Sequence, residues 1–256
     1  MKIKLLLCVV TAALTMAASL ASASPIVYAS GHTNPWNNTS NDTAMNSAFG
    51  VNNWTRVNDY TVSMFNGANF VFMDGSNSNA NQLSSFLLAN DAVVSEFVNN
   101  GGHLFLNSAP NQGSSYNMGF GVTLNYPKLS STVTVTAAGV AAGLTTGGLA
   151  TNYSGNQFGH ATVSGGGISD LIEGPSGTVF GAKAVGAGFV AFGGQTTTNF
   201  HMPSPDSAAL LVNELLYVAD GAGAGVQNEI PEPSTLALFG LGLAGVAALR
   251  RRKAAK

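Results

Sequence analysis

QLSSFLLANDAVVSEFVNNGGHLFLNSAP, residues 82–110, contains in one stretch both types of element from which the fold is predicted. Its first part has apolar residues at helical spacing, namely Leu83, Phe86, Leu87, Val94, Phe97 and Val98. Gly101 and Gly102 follow, and glycine commonly ends a helix. HLFLN, residues 103–107, is a short apolar run typical of a buried strand. A helix that leads through glycines into a buried strand indicates an α/β unit.

The segments on either side extend this pattern. Short apolar or alternating runs predict further strands at residues 25–30, 68–76, 131–137, 178–185 and 188–194. Residues 205–220 open with Pro205 and Asp206 at capping positions and carry apolar residues on one face, which predicts a closing helix. This order of elements predicts an α/β sheet with an antiparallel β insertion.

The beginning of the chain has the three parts of a secretory signal. Lys2 and Lys4 precede an apolar run from Leu5 to Leu20, and the small residues Ala21-Ser22-Ala23 follow. We therefore expect residues 1–23 to be an export signal that is cut after Ala23. The cut would remove Cys8, the only cysteine, so the mature protein would have no disulfide and no cysteine metal ligand.

The end of the chain has a short apolar segment followed by basic residues. Leu236 to Leu249 would span about 21 Å as a helix, which is shorter than the hydrocarbon core of about 30 Å. The basic run that follows would stay on the cytoplasmic side by the positive-inside rule, and it consists of Arg250, Arg251, Arg252 and Lys253. Glycines inside the segment favour a transient sorting helix, 236–249, over a durable anchor.

Pro231-Glu232-Pro233, the apolar segment and the arginine cluster occur in an order that resembles the PEP-CTERM protein-sorting signal. The resemblance covers residues 230–254 and implies processing by an exosortase, a membrane transpeptidase of bacteria that make extracellular polysaccharide. It implies an exported protein, tethered in the inner membrane with its domain in the periplasm and then moved to the outer envelope or beyond. Residues 223–229 are predicted to be a flexible linker, and residues 24–222 to be the exported domain.

The exported part is acidic. Residues 24–229 contain three basic and eleven acidic residues, a net charge of −8 that the basic ends of the chain conceal. Nucleic acid is therefore excluded as an expected partner.

The domain resembles, through scattered motifs, the class I glutamine amidotransferase-like fold, and within it the trehalose-utilisation-like proteins. The motifs are FVNNGGHLFLNSAP at residues 97–110, GFGVTL at 119–124 and GAGFVAFGGQ at 186–195. The resemblance implies a flavodoxin-like sheet in three layers. Where that family has a nucleophile or a histidine, this chain has Asn107 and Ser108, which predicts a domain that has lost its catalytic site.

Ser108 and His201 are the weak catalytic candidates. A serine after a parallel strand lies where α/β proteins build sites, and a histidine could activate it, with Asp74 or Asp206 as a third member. The surrounding sequence lacks G-x-S-x-G, however, so the serine is better explained as part of a turn. No spacing indicates a metal site, and no cofactor is expected.

Three functions remain open on the sequence. The first is a non-catalytic envelope or extracellular-matrix protein, and the second is a secreted serine hydrolase of glycans or esters. The third is a module that binds extracellular polysaccharide, suggested by aromatic residues in polar surroundings, which are Trp36, Trp54, Tyr60, Tyr116, Tyr126 and Tyr153.

Overall fold

The computed structural model describes residues 25–221. The predicted export signal (1–23), the linker (223–229) and the sorting segment (230–254) with its helix (236–249) lie outside the described residues. Between residues 25 and 221, no helix is both long enough and apolar enough to cross a membrane.

The described residues form thirteen strands, four α-helices and three short 3-10 turns. The strands are β1 Ile26–Ala29, β2 Thr55–Val57, β3 Phe70–Asp74, β4 His103–Asn107, β5 Tyr116–Asn117, β6 Val122–Asn125, β7 Ser130–Val135, β8 Asn152–Gly159, β9 Thr162–Gly165, β10 Ser169–Gly174, β11 Gly177–Val185, β12 Gly188–Gly193 and β13 His201–Met202. The helices are α1 Ser40–Phe49, α2 Ala80–Asn99, α3 Ala137–Ala141 and α4 Ser204–Ala219, and the 3-10 turns are Pro35–Asn37, Val62–Phe65 and Thr198–Phe200.

Ten strands make one mixed sheet in the order β13-β8-β7-β10-β11-β12-β4-β3-β1-β2, and β5-β6-β9 make a second. Of the nine neighbouring pairs in the large sheet, four are parallel (β1–β2, β1–β3, β3–β4 and β4–β12) and five are antiparallel. The parallel part consists of β1, β2, β3, β4 and β12. If these five strands are numbered 1 to 5 along the chain, they lie in the order 2-1-3-4-5, which is an order of doubly wound sheets. The antiparallel part is larger than the predicted insertion, because it supplies most of the pairings in the sheet.

Both faces of the parallel strands are covered. Successive side chains of a strand point to opposite faces, so Val71 and Met73 of β3 pack against α2 and the second sheet. Phe70 and Phe72 of the same strand pack against α1 and α4 on the other face. A strand that is apolar at every position, as β3 nearly is, therefore belongs at the centre of a three-layer arrangement.

The strands predicted at 25–30, 68–76, 103–107, 131–137, 178–185 and 188–194 and the helices predicted within 82–102 and 205–220 are confirmed. Helix α1 was not predicted from the sequence, because it is polar and buries only Asn41, Ala44 and Met45. The antiparallel strands β8, β9 and β10 were not predicted either, since their sequences are rich in glycine, serine and asparagine.

Candidate functional site

Polar side chains are buried where β3, β4 and β12 end. Asp74 closes β3, Asn107 closes β4, and Gln195 follows β12 two residues after its end. Because these strands are parallel, their carboxyl ends meet at one edge of the sheet, where open α/β sheets hold their ligands. This group of side chains is the candidate site.

Asp74 is held by three donors. The side chain of Asn41 donates to Oδ2 at 2.6 Å, and the Ser76 amide and the Asn107 side chain donate to Oδ1 at 2.8 and 3.4 Å. Burial raises the pKa of Asp74 to about 6, although hydrogen bonds from Ser76 and Asn41 act in the opposite direction. The carboxyl group therefore serves as the anchor of an internal network that joins α1, β3 and β4.

Asn107 uses both ends of its amide inside the protein. Its Nδ2 donates to the Ser76 hydroxyl at 3.2 Å and to the Gln195 carbonyl at 3.0 Å. Its Oδ1 accepts from the Gln195 backbone amide at 3.2 Å. Asn107 thus ties the end of β4 to the end of β12.

Ser108 is fully buried and hydrogen-bonded to the backbone. It has no exposed surface, and its Oγ donates to the Gly75 carbonyl at 2.9 Å. A serine nucleophile needs a neighbouring base and access to a substrate. Among the described residues, the acceptor of the hydrogen bond from the Ser108 hydroxyl is a backbone carbonyl and not the side chain of a base.

His201 takes part in a different set of contacts. Its ring stacks on Phe158 with centroids 3.8 Å apart, and its Nε2 lies 2.9 Å from the Thr196 hydroxyl. Burial lowers the pKa of His201 to about 3, so the imidazole is neutral at physiological pH. His201 and Ser108 thus have separate hydrogen-bond partners. Asp206, the other suggested member, accepts from the Ala150 amide at 2.9 Å.

Glu214 is a member of this region that was not predicted from the sequence. It lies on α4 with 1% of its surface exposed, and its Oε2 accepts a hydrogen bond from the Gln195 side chain. Burial raises its pKa to about 8. A signal was present, because Glu214 falls at helical spacing between Leu210, Leu211 and Val218, where a carboxylate is unexpected.

The six aromatic residues suggested for polysaccharide binding are all buried or half-buried, and none is exposed. Trp36, for example, packs edge-on against the ring of His160 with centroids 4.6 Å apart. Stacking on a sugar needs an open ring face, and these six residues do not form an exposed aromatic platform. Within residues 25–221, His, Asp and Glu side chains also form no group of three that could hold a metal ion.

Solved structures overlap the chain only loosely. A proposed GMP synthase component from Thermoplasma acidophilum is 11% identical, with 77% of this chain and 95% of that chain covered and a TM-score of 0.49. A β-galactosidase from Rahnella sp. R3 is 10% identical, with a TM-score of 0.46, and one from Halorubrum lacusprofundi is 14% identical, with a TM-score of 0.42. The overlaps cover 75% and 77% of this chain but only 31% and 30% of the two β-galactosidases. At TM-scores below 0.5 these overlaps say nothing about activity.

No curated protein matches the chain. The family model described as the PEP-CTERM protein-sorting motif matches residues 229–253, which confirms the motif predicted from Pro231 to Lys253. The motif implies export and membrane-associated processing by an exosortase. The chain therefore carries a PEP-CTERM protein-sorting motif at its carboxyl end.

Proposed function

We propose that the protein is an exosortase substrate of the cell envelope or extracellular matrix, and that its central domain is non-catalytic. The observation that carries the proposal is the sorting motif at residues 229–253. Residues 1–23 direct export, and 236–249 hold the chain in the inner membrane. The basic run at 250–253 stays in the cytoplasm until the chain is cut near Pro231-Glu232-Pro233. The domain then moves to the outer envelope or the exterior.

The geometry of the central domain supports a non-catalytic role. Asn107 and Ser108 stand where the resembled family has its reactive groups, and both are used for internal hydrogen bonds. His201 is buried against Phe158 and bonded to Thr196. These side chains stabilise the end of the sheet. A hydrolase acting through Ser108 would need to break several of these contacts before it could bind a substrate.

A substitution within the motif tests the sorting proposal. We expect the triple variant Pro231→Ala, Glu232→Ala, Pro233→Ala to accumulate in the inner-membrane fraction of the host, because the processing enzyme no longer recognises it. The measurement is the distribution of the protein between inner membrane, outer envelope and medium.

A matched triple substitution in the linker, Val226→Ala, Gln227→Ala, Asn228→Ala, serves as the control and should leave the distribution unchanged. The sorting proposal fails if the Pro231–Pro233 variant reaches the outer envelope or medium as the unsubstituted protein does.

A further inference from the structure

A groove lies between α2 and the 3-10 turn Val62–Phe65, at the edge of the large sheet where the parallel strands begin. This edge is opposite to the one that holds the candidate site, since Asn69 precedes β3 and Gly102 precedes β4. The groove has a volume of about 350 Å³, which falls within the range of about 300–1,000 Å³ typical of ligand pockets. Its lining includes Phe65, Ala68, Asn69, Val93, Glu96 and Phe97.

Two phenylalanine rings lie side by side in this groove. The ring centroids of Phe65 and Phe97 are 4.8 Å apart. The ring of Phe97 also lies against Gly102, where a Cβ atom would come within 2.5 Å of it. Val93 stands beside them with 39% of its surface exposed. This apolar surface gains free energy when a further apolar group covers it.

The described part of the chain ends beside this edge. Helix α4 stops at Ala219, whose carbonyl oxygen is hydrogen-bonded to Nδ1 of His103. Gly221 then lies against the His103 ring, because a Cβ atom on Gly221 would come within 2.7 Å of it. His103 opens β4, and the residue before it, Gly102, lines the groove. The segment that follows residue 221 therefore starts next to the strand end that the groove adjoins.

The following segment is long enough to reach the groove. Gly221 is on the α4 side of β4, so the chain has to pass around the strand end to the α2 side. Residues 222–226 span up to about 17 Å when extended, whereas Gly102 and His103 are neighbours with Cα atoms about 3.8 Å apart. The first four residues of the segment are alanine or glycine, which leave room for this passage. Val226 is the first larger side chain to arrive.

The sequence of this segment places its larger apolar residues on one side. They are Val226 and Ile230, four positions apart. In an extended chain alternate side chains point to the same side, so Val226, Asn228 and Ile230 share one side, and Gln227 and Glu229 share the other. One side can therefore contact the phenylalanine rings while the charge of Glu229 stays in water.

Charge disfavours an anionic occupant of the groove. Glu96 stands at the groove, and none of the three basic residues between 25 and 221 lines it. Phospholipid headgroups and nucleic acid, which carry phosphate, are therefore repelled. A tethered segment has a further advantage, because a short tether gives it an effective concentration in the millimolar range, and even a weak contact is then populated.

We propose that the groove binds residues 226–230 of the same chain, with Val226 and Ile230 against its phenylalanine rings. The contact is separate from recognition of the sorting motif by the processing enzyme. Its consequence rests on the proposed function, in which a cut near the motif leaves residues 222–230 as the carboxyl end of the released domain. Docking then holds this end against the domain and covers the apolar groove.

Disulfide formation in the chain recovered from its host tests the proposal. Cys8→Ser first makes the chain free of cysteine. Glu96→Cys and Asn228→Cys then place one thiol at the groove and one between the two apolar side chains of the segment. We expect mild oxidation to join them within one chain about tenfold faster than it joins Asn228→Cys to Val212→Cys, because docking raises the effective concentration. Val212 lies on α4, about 14 Å along the helix from Gly221, and is within reach of an undocked segment.

Two double substitutions within the segment give a matched comparison. Val226→Ser with Ile230→Ser removes the apolar side and should slow disulfide formation at Glu96→Cys about tenfold, because the docked population is lost. Gln227→Ser with Glu229→Ser changes the other side and should leave the rate unchanged.

The same rate in both double variants would overturn the proposal, and so would a Glu96→Cys pair that reacts no faster than the Val212→Cys pair. A disulfide found only between two chains would overturn it as well, and would identify a second copy as the occupant. Both thiols lie before the sorting motif, so the result can be read whether or not the chain is cut. Failure of the sorting proposal is therefore distinguishable from failure of this one.

Discussion

At the scale of single residues, Asp74 and Ser108, at the carboxyl ends of β3 and β4, both use their side chains in internal hydrogen bonds. Asp74 accepts from Asn41, Ser76 and Asn107, and Ser108 donates to a backbone carbonyl. In a serine hydrolase, by contrast, the nucleophile is paired with a base and faces the substrate. Our proposal of a non-catalytic domain therefore treats the side chains at this edge as structural links between elements.

Replacement of Ser108 by alanine tests that interpretation. We expect Ser108→Ala to lower the free energy of unfolding by about 1 kcal/mol, because it removes one buried hydrogen bond to the Gly75 carbonyl. Denaturant unfolding measures the change. The exposed Ser85→Ala on α2 should change stability by less than about 0.5 kcal/mol.

A hydrolase assay on ester and glycan substrates completes this test. We expect no Ser108-dependent turnover. Activity in the unsubstituted protein that disappears in Ser108→Ala, with the fold intact, would establish the serine hydrolase instead.

Only part of this residue-scale arrangement could be predicted from sequence. The position of Ser108 at the end of a parallel strand followed from the apolar run before it, and the structure has it there. The contacts of His201 could not be predicted, because its stacking partner Phe158 lies on β8, 43 residues earlier in an unpredicted strand. Glu214 was predictable in principle, since helical periodicity places it on the buried face of α4.

At the scale of elements, polar side chains join α1 to its neighbours. It presents Asp42 to Arg56 of β2, whose Nη1 donates to both carboxylate oxygens at 2.6 and 2.5 Å. Another nitrogen of Arg56 donates to the Ser30 hydroxyl at 2.8 Å and to Asn34. One guanidinium group thus joins α1, β2 and the loop after β1.

Replacement of Arg56 by lysine tests the role of this link. We expect Arg56→Lys to destabilise the domain by about 1–3 kcal/mol, because a single ammonium group cannot reproduce the paired contacts to Asp42 and those to Ser30. Thermal or denaturant unfolding gives the value. Lys128→Arg, at an exposed position, is the reciprocal control and should be close to neutral. An effect of Arg56→Lys no larger than that of the control would show that the link adds nothing measurable to stability.

Elements were predictable where apolar residues set the pattern and unpredictable where they did not. The buried strands β3 and β4 are continuous apolar runs, and α2 has apolar residues at helical spacing, and all three elements were predicted. The helix α1, by contrast, is stabilised by contacts with distant residues and has few apolar positions of its own. The antiparallel strands are similar, since β8 has the polar sequence NYSGNQFG and depends on pairing with β7.

At the scale of the whole molecule, the predicted export signal and the sorting motif flank the central domain. The basic residues are concentrated at the two ends, and the segment 24–229 has a net charge of −8. The sorting motif at 229–253 could be predicted from sequence because its three parts are local and occur in order. The polar contacts of the central domain could not be predicted in this way, because they join residues that are distant along the chain, such as Asn41 with Asp74 and Asn107 with Gln195.

Intact mass of the protein recovered from its own host tests most directly whether the chain is a processed sorting substrate. We predict a mass that lacks residues 1–23 and the segment beyond Pro231-Glu232-Pro233, because export removes the first and an exosortase removes the second. A mass that includes every residue through Lys256 would contradict this prediction, and the tail would then be a membrane anchor that keeps the domain tethered in the periplasm.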